Sequence, residues 1–253
     1  MSSSNQLWET SLVDLQLLEN EIHIWRTSLQ VETLVLHTLQ QMLSKEEVFR
    51  AKRFHFERDR RRFIVARGIL RSLLGRYLHT NPGTLNFDCN AYGKPSLGFP
   101  LSESKLHFNI SHSHEVVLFA FTRDRQIGVD VEYMRSDIDY EHLARHSFSS
   151  NEQAAFYALP SAQRQLAFYH CWTRKEAYIK ARGQGLSLPL DLFDVSLVPD
   201  EPAMLLSSRE DPQEVIRWSF QNLLSYPGYA GAFAVEGYGW QVNCWQWQSD
   251  NIL

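Results

Sequence analysis

The chain has 253 residues, 44% of them apolar and 13% aromatic, enough to pack one large domain or two small ones. A formal net charge of −4 excludes a global basic field for nucleic acid or an anionic membrane, so any anion site must be local. No apolar run approaches the roughly 18 residues of a membrane span, and Cys89, Cys171 and Cys244 are too scattered for a disulfide framework or a zinc site.

Residues 1–20 lack the basic segment and apolar run of an export signal; they read as a loosely packed lead-in to a cytoplasmic protein. The alternation in 21–29 predicts a strand. Ser44 followed by Glu47 forms a capping box, and 44–79 has a helical pattern that breaks near 56–60, with Val48, Phe49, Phe63, Ile64, Leu70, Leu73, Leu74 and Tyr77 inward. Between positions 50 and 76, 10 of 27 residues are Lys or Arg, either a solvated helix face or an anion cradle of guanidinium groups. Turn signals follow at 81–83 and 92–95. Residues 109–113, Asn-Ile-Ser-His-Ser, read as a small polar loop ahead of an apolar strand at 116–121. Its hydroxyl, imidazole and N–H donors suit a phosphate, whereas a nucleophile and base pair lacks the usual GxSxG turn.

In the strand 127–133, IGVDVEY, alternation points Asp130 and Glu132 to one face. Two adjacent carboxylates repel unless a cation lies between them or solvent covers both. A capped helix is predicted over 148–159, and a long one over 161–182 that ends at Gly183, which stacks Trp172, Lys175, Glu176 and Lys180 at steps of three and four. Glu176 and Lys180 alone would be an ordinary helix pair; with Asp130 and Glu132 they make an oxygen-rich set suited to Mg²⁺. Strands are expected at 194–198, 215–221, 229–236 and 240–247, with Trp218, Trp240, Trp245 and Trp247 in packing roles. A faint twofold pattern, long helix then apolar strand, predicts an α+β fold of two similar α/β halves, 1–124 and 125–253, the second carrying the acids and the site in the cleft between.

The combination of FNISHS at 108–113, GVDVE at 128–132 and WTRKEAYIK at 172–180, with YGKP at 92–95 and GLSLPL at 185–190, resembles the Sfp-type 4'-phosphopantetheinyl transferases. The resemblance implies transfer of the phosphopantetheine arm of coenzyme A to a serine of an acyl, peptidyl or aryl carrier protein, in fatty acid, polyketide or nonribosomal peptide synthesis, with release of adenosine 3',5'-bisphosphate. It implies that Asp130, Glu132 and Glu176 hold Mg²⁺, and that Lys180 and His112 bind pyrophosphate oxygens. Ser111 and Lys94 would lie near the nucleotide, Arg50, Arg53 and Arg62 near the 3'-phosphate, and Lys175 at a further phosphate or carrier contact. Glu176, or a water, would be the base. Glu47 and Phe63 depart from the family pattern beside those arginines. A carrier patch is expected from Arg135, Arg145, Phe148 and Phe156, and a monomer is expected because one chain completes the site. A non-catalytic binding module and a nucleic-acid binder using 50–76 are the rivals; the complete acid and lysine set weighs against the first, the net charge against the second.

Overall fold

The computed structural model describes residues 8–10, 15–223 and 226–252. Its plan is one β-α-β-β unit used twice. In the first, β2 (Glu21–Ser28), which follows the short β1 (Glu9–Thr10), leads through α1 (Thr33–Gln41) and α2 (Lys45–Lys52) into α3 (Glu57–Leu78). A small hairpin, β3 (Phe87–Cys89) and β4 (Pro95–Leu97), precedes β5 (Leu106–Ser113) and β6 (Val116–Arg123). In the second unit, β7 (Ile127–Tyr133) leads through α4 (Tyr140–Ser147) and α5 (Ser150–Ala158) into α6 (Ser161–Arg182). After β8 (Phe193–Val195), β9 (Leu205–Ser208) and α7 (Glu214–Arg217), β10 (Trp218–Leu223) and β11 (Tyr229–Glu236) complete it.

The antiparallel order β2-β6-β5 thus corresponds to β7-β11-β10, and α3 and α6, each of 22 residues, correspond to one another. The expectation of two similar α+β halves is borne out. A last strand, β12 (Gln241–Gln246), returns to the first half and pairs parallel with β2, giving the five-stranded order β1-β12-β2-β6-β5.

Alternation sorts the strand side chains into cores. On β6, Val117, Phe119 and Phe121 face the α3 side, while Val116, Leu118 and Ala120 meet Ile127, Val129, Val131 and Phe233 of the second half. Ile127, Val129 and Val131 therefore fill the space between the sheets, and the intervening Gly128, Asp130 and Glu132 face α6. A third core surrounds α6 itself, with Phe156, Phe168, Tyr178 and Phe193. Trp218, Trp245 and Trp247 are buried, as their packing role requires. Among the described residues, no helix is long and apolar enough to cross a membrane.

Several expectations are corrected. Residues 109–113 are not a loop: β5 pairs with β6 from Leu106 opposite Arg123 to Ser113 opposite Val116, and the turn falls at His114, whose φ is 48°. Small polar residues suit a strand here because Asn109, Ser111 and Ser113 hydrogen-bond across to β7. Phe49 is 67% exposed rather than inward, since α2 turns Glu47 and Ala51 to the core instead. In the lead-in, Leu15 and Leu17 are buried against the first core; residues 1–7 and 11–14 of that reading lie outside the described residues.

Candidate active site

The site lies where β5, the edge of one sheet, runs beside β7, the edge of the other, under α6. Ladder hydrogen bonds do not join these edges; side chains do. Asn109 Oδ1 accepts from Val129 N (2.9 Å), Ser111 Oγ donates to Asp130 Oδ1 (2.8 Å), and Ser113 Oγ donates to Glu132 Oε2 (2.7 Å). The i, i+2 spacing on β5 matches the i, i+2 spacing of the acids on β7.

Gly128 sets the approach of the helix. A Cβ there would overlap the Ala177 carbonyl oxygen and the Ala181 nitrogen, so β7 and α6 touch backbone to backbone. That contact brings the next turns of α6 over Asp130 and Glu132. From 167 to 181 every residue of α6 is buried except His170, Trp172, Glu176 and Lys180. The last three, at i, i+4 and i+8, open onto the cleft.

Asp130 is 2% exposed. Its Oδ1 also accepts from Lys180 Nζ at 2.5 Å, and the same ammonium donates to Ser111 Oγ at 2.9 Å. Its Oδ2 is buried with no hydrogen-bond partner. Burial, and then the charge of Asp130, raises the Glu132 carboxyl; hydrogen bonds from Ser113 and Trp172 oppose the shift. Burial, then Asp130, raises Glu176 to about 7, with Glu132 adding to the effect and Lys180 opposing it. Three carboxyls therefore share one partly dry space with one ammonium among them. Among the described residues, no three His, Cys, Asp or Glu side chains form a ready-made metal cluster. The donors nonetheless suit a hard cation that keeps water and substrate oxygens in its shell, and the orphan Oδ2 is an oxygen in want of a positive partner.

His112 alternates on β5 with Ser111 and Ser113, and partial burial and the positive charges of Lys180 and Arg62 lower its pKa. Arg62, on α3, pairs with Glu115 and with Asp59 (3.7 Å). It lines a pocket of about 390 Å³ with Ser113, Glu132, Tyr133, Arg135 and Trp172. Lys94 reaches the same junction from the β3–β4 turn, but its ammonium donates to Ala181 O (3.0 Å), Ile127 O (3.2 Å) and Gln126 Oε1, and burial lowers its pKa to about 8. It ties the end of α6 to the start of β7, assisted by Asn90 Nδ2 donating to Gly183 O.

Not every predicted residue joins the group. Lys175, expected at a phosphate or carrier, is fully buried on the opposite side of α6. It donates to Leu190 O and Phe193 O (both 2.6 Å) and pairs with Glu152 (2.8 Å), because one helical step turns it about 100° from Glu176. Phe148 and Phe156, expected in a surface patch, are core residues that pack with Phe168. Ile138, Leu143 and Tyr133 supply apolar lining near the pocket instead. Arg50 on α2 and Arg53 just past its end are exposed and do not line that pocket; Arg50 lies over the Phe63 ring. Glu47 explains part of the basic stretch: it pairs with Arg67 and with buried Arg71 (2.6 Å), so these two arginines serve the fold. Asn109 and Ser113, expected as phosphate donors on a loop, instead bond to Val129 N and Glu132, for which the matched polar spacing of β5 and β7 was the available signal; nothing in the sequence singled out Glu115.

A two-half α+β fold with carboxylates and a lysine at its seam defines the class, and comparison with known proteins specifies it. Residues 126–234 match the 4'-phosphopantetheinyl transferase superfamily, and residues 23–123 match the N-terminal region of 4'-phosphopantetheinyl transferases. The chain is 42% identical to the 4'-phosphopantetheinyl transferase HetI of Nostoc sp. over 95% of its own length and 98% of the relative's. It is 35% identical to the 4'-phosphopantetheinyl transferase Sfp of Bacillus subtilis, over 62% of this chain and 68% of the relative, and 28% identical to gsp of Aneurinibacillus migulanus, over 72% and 74%. The chain belongs to the 4'-phosphopantetheinyl transferase superfamily, in its Sfp-type group.

Proposed function

We propose that this transferase moves the 4'-phosphopantetheine arm of coenzyme A to a serine hydroxyl of an acyl, peptidyl or aryl carrier protein, with Mg²⁺, releasing adenosine 3',5'-bisphosphate. The observation that carries the reading is the convergence of Asp130, Glu132, Glu176 and Lys180 on the facing sides of β7 and α6, with Asp130 Oδ2 left unpartnered.

Asp130, Glu132 and Glu176 would hold Mg²⁺, which when bound supplies charge neutralisation to a pyrophosphate. The chain's own groups do the rest. Lys180 and His112 donate hydrogen bonds to the pyrophosphate oxygens, and Ser111 steadies Lys180 from beneath. Lys94 and Ser111 lie toward the nucleotide, and Arg62, Arg50 and Arg53 offer guanidinium charge to its 3'-phosphate, Arg62 after leaving Glu115. The serine oxygen forms a bond to the phosphorus that bears the pantetheine arm while the anhydride bond to the nucleotide phosphate breaks. The hydroxyl proton passes to Glu176 or to a water; burial and Asp130 raise the Glu176 pKa to about 7 in the metal-free site, and a bound cation lowers it again. Such a reaction asks for positioning and electrostatics more than for covalent help.

The carrier's serine would enter by the pocket lined with Tyr133, Arg135, Leu143 and Trp172, next to Glu132. Residues 1–124 and 125–253 are taken as the two halves of one catalytic unit, acting as a monomer. The test is the intact mass of an apo carrier protein after incubation with this protein, coenzyme A and Mg²⁺. A gain of one phosphopantetheine arm with wild type, absent without Mg²⁺ and with Glu176→Gln, is expected; no gain on several unrelated carriers, with coenzyme A bound, overturns the reading.

A further inference from the structure

One carboxylate in this site already has a cation. Lys180 is the positive group within ion-pair distance of Asp130 among the described residues, at 2.5 Å from Oδ1, and Ser111 bonds to both partners. Glu132 is held differently, by the neutral donors Ser113 and Trp172. The Lys180 side chain is 26% exposed, so its head can leave Asp130 for a ligand without unpacking the helix.

Resting on the proposed function, we infer that Lys180 is a resident counter-ion for Asp130 that keeps a divalent cation out of the acid trio until a pyrophosphate arrives. While the ammonium sits on Oδ1, a dication at Oδ2 would meet a like charge across a single carboxylate in a half-dry space, where repulsion is weakly screened. A pyrophosphate offers the ammonium a more highly charged partner. Lys180 then turns to the phosphate oxygens, and Asp130, freed of its ammonium, is left for the metal. Metal and coenzyme A are thereby coupled, each tightening the other by the same factor, through one side chain that exchanges partners. Ser111 is a positioning residue in this exchange: its hydroxyl stays on Asp130 and holds the carboxylate's rotamer when the lysine departs.

The experiment measures Mn²⁺ bound to the full chain by water proton relaxation, with and without coenzyme A. Wild type is expected to bind Mn²⁺ weakly alone and about tenfold or more tightly with coenzyme A. Lys180→Met is expected to bind Mn²⁺ alone about tenfold or more tightly than wild type, since a like charge is gone, while Lys180→Arg stays weak. Coenzyme A should then raise Mn²⁺ affinity less in Lys180→Met than in wild type, the remaining gain coming from pyrophosphate oxygens that enter the metal's own shell. Equal or weaker Mn²⁺ binding by a Lys180→Met protein with a native circular dichroism spectrum overturns the inference. Should that variant not fold, wild type decides alone: Mn²⁺ affinity unchanged by coenzyme A overturns the coupling. Mn²⁺ that binds equally in every state sinks the exchange and leaves the acid trio standing; Mn²⁺ that fails to bind even with coenzyme A removes the trio and the proposed function's metal with it.

Discussion

Lys175 and Lys180 are five positions apart on one helix and have opposite employment. The Lys175 ammonium is spent on two carbonyls and on Glu152, whose carboxylate also accepts from Ser149 N and Val195 N. Removing one member of such a buried set leaves the others desolvated and unpaired. Lys175→Met is therefore expected to cost about 3–5 kcal/mol by urea denaturation, and Lys180→Met less than half as much, while losing transferase activity. Comparable stability losses in the two would contradict this division. Glu176 makes a second prediction. Its folded-state pKa, about 7, lies above its ordinary value of 4.5, so the ligand-free fold binds an extra proton between those limits and loses stability as pH rises from about 4.5 to about 7. Glu176→Gln should accordingly be more stable than wild type by about 1–3 kcal/mol at pH 8, with the difference gone at pH 4, in denaturation at low metal. Mg²⁺ together with coenzyme A should erase the gain, because a cation favours the charged carboxylate.

Two elements, β7 and α6, make the site, and Gly128 sets their spacing. A side chain there meets helix backbone, which cannot move aside as a flexible side chain would. Gly128→Ala is expected to destabilise by about 3 kcal/mol or more and to abolish transfer in the carrier mass assay, although it touches no ligand group. Retention of wild-type stability would mean that α6 can shift without harm. The β5–β7 seam is more forgiving. Ser113→Ala forfeits the bonds to Glu132 and to Tyr133 N, a loss of about 1–2 kcal/mol at a partly exposed position, and it should reduce turnover by freeing the Glu132 carboxylate.

At the scale of the molecule, the two halves are similar in plan and dependent on each other. β6 is buried on both faces, one by α3 and the other by the strands of the second half. β12, the last strand, pairs with β2 of the first half and brings Trp245 and Trp247 to its core. Neither half has a complete core by itself. Deleting residues 240–253 bares the edge of β2 and removes two buried indoles, so the shortened chain is expected to be largely unfolded by circular dichroism and aggregated on size exclusion. Separately expressed 1–124 and 125–253 should behave likewise and recover structure when co-expressed. A monomeric, cooperatively folding 125–253 fragment would show that the second half holds its fold without β2 and β6.

Local rules carried much of this. Alternation in IGVDVEY was enough to place Asp130 and Glu132 on one face, and helical spacing with a terminal Gly183 was enough to align Trp172, Glu176 and Lys180, because periods of two and 3.6 depend on backbone geometry alone. The capping boxes at Ser44 and Ser149 were equally legible, each an exchange of hydrogen bonds within four residues. What the sequence could not determine was which face of a residue's neighbourhood would be dry. Lys175 and Lys180 look alike in the chain; the fold buries one against the 190–193 segment and opens the other to the cleft. Asn109 to Ser113 read as a loop until β7 supplied partners for its polar side chains, and three of the ten basic residues of 50–76, Arg62, Arg67 and Arg71, are taken by Glu115 and Glu47, 20 to 53 residues away in sequence. Periodicity is local and survives in one dimension, whereas burial and pairing depend on contacts between distant segments, which exist only once the two halves have closed on each other.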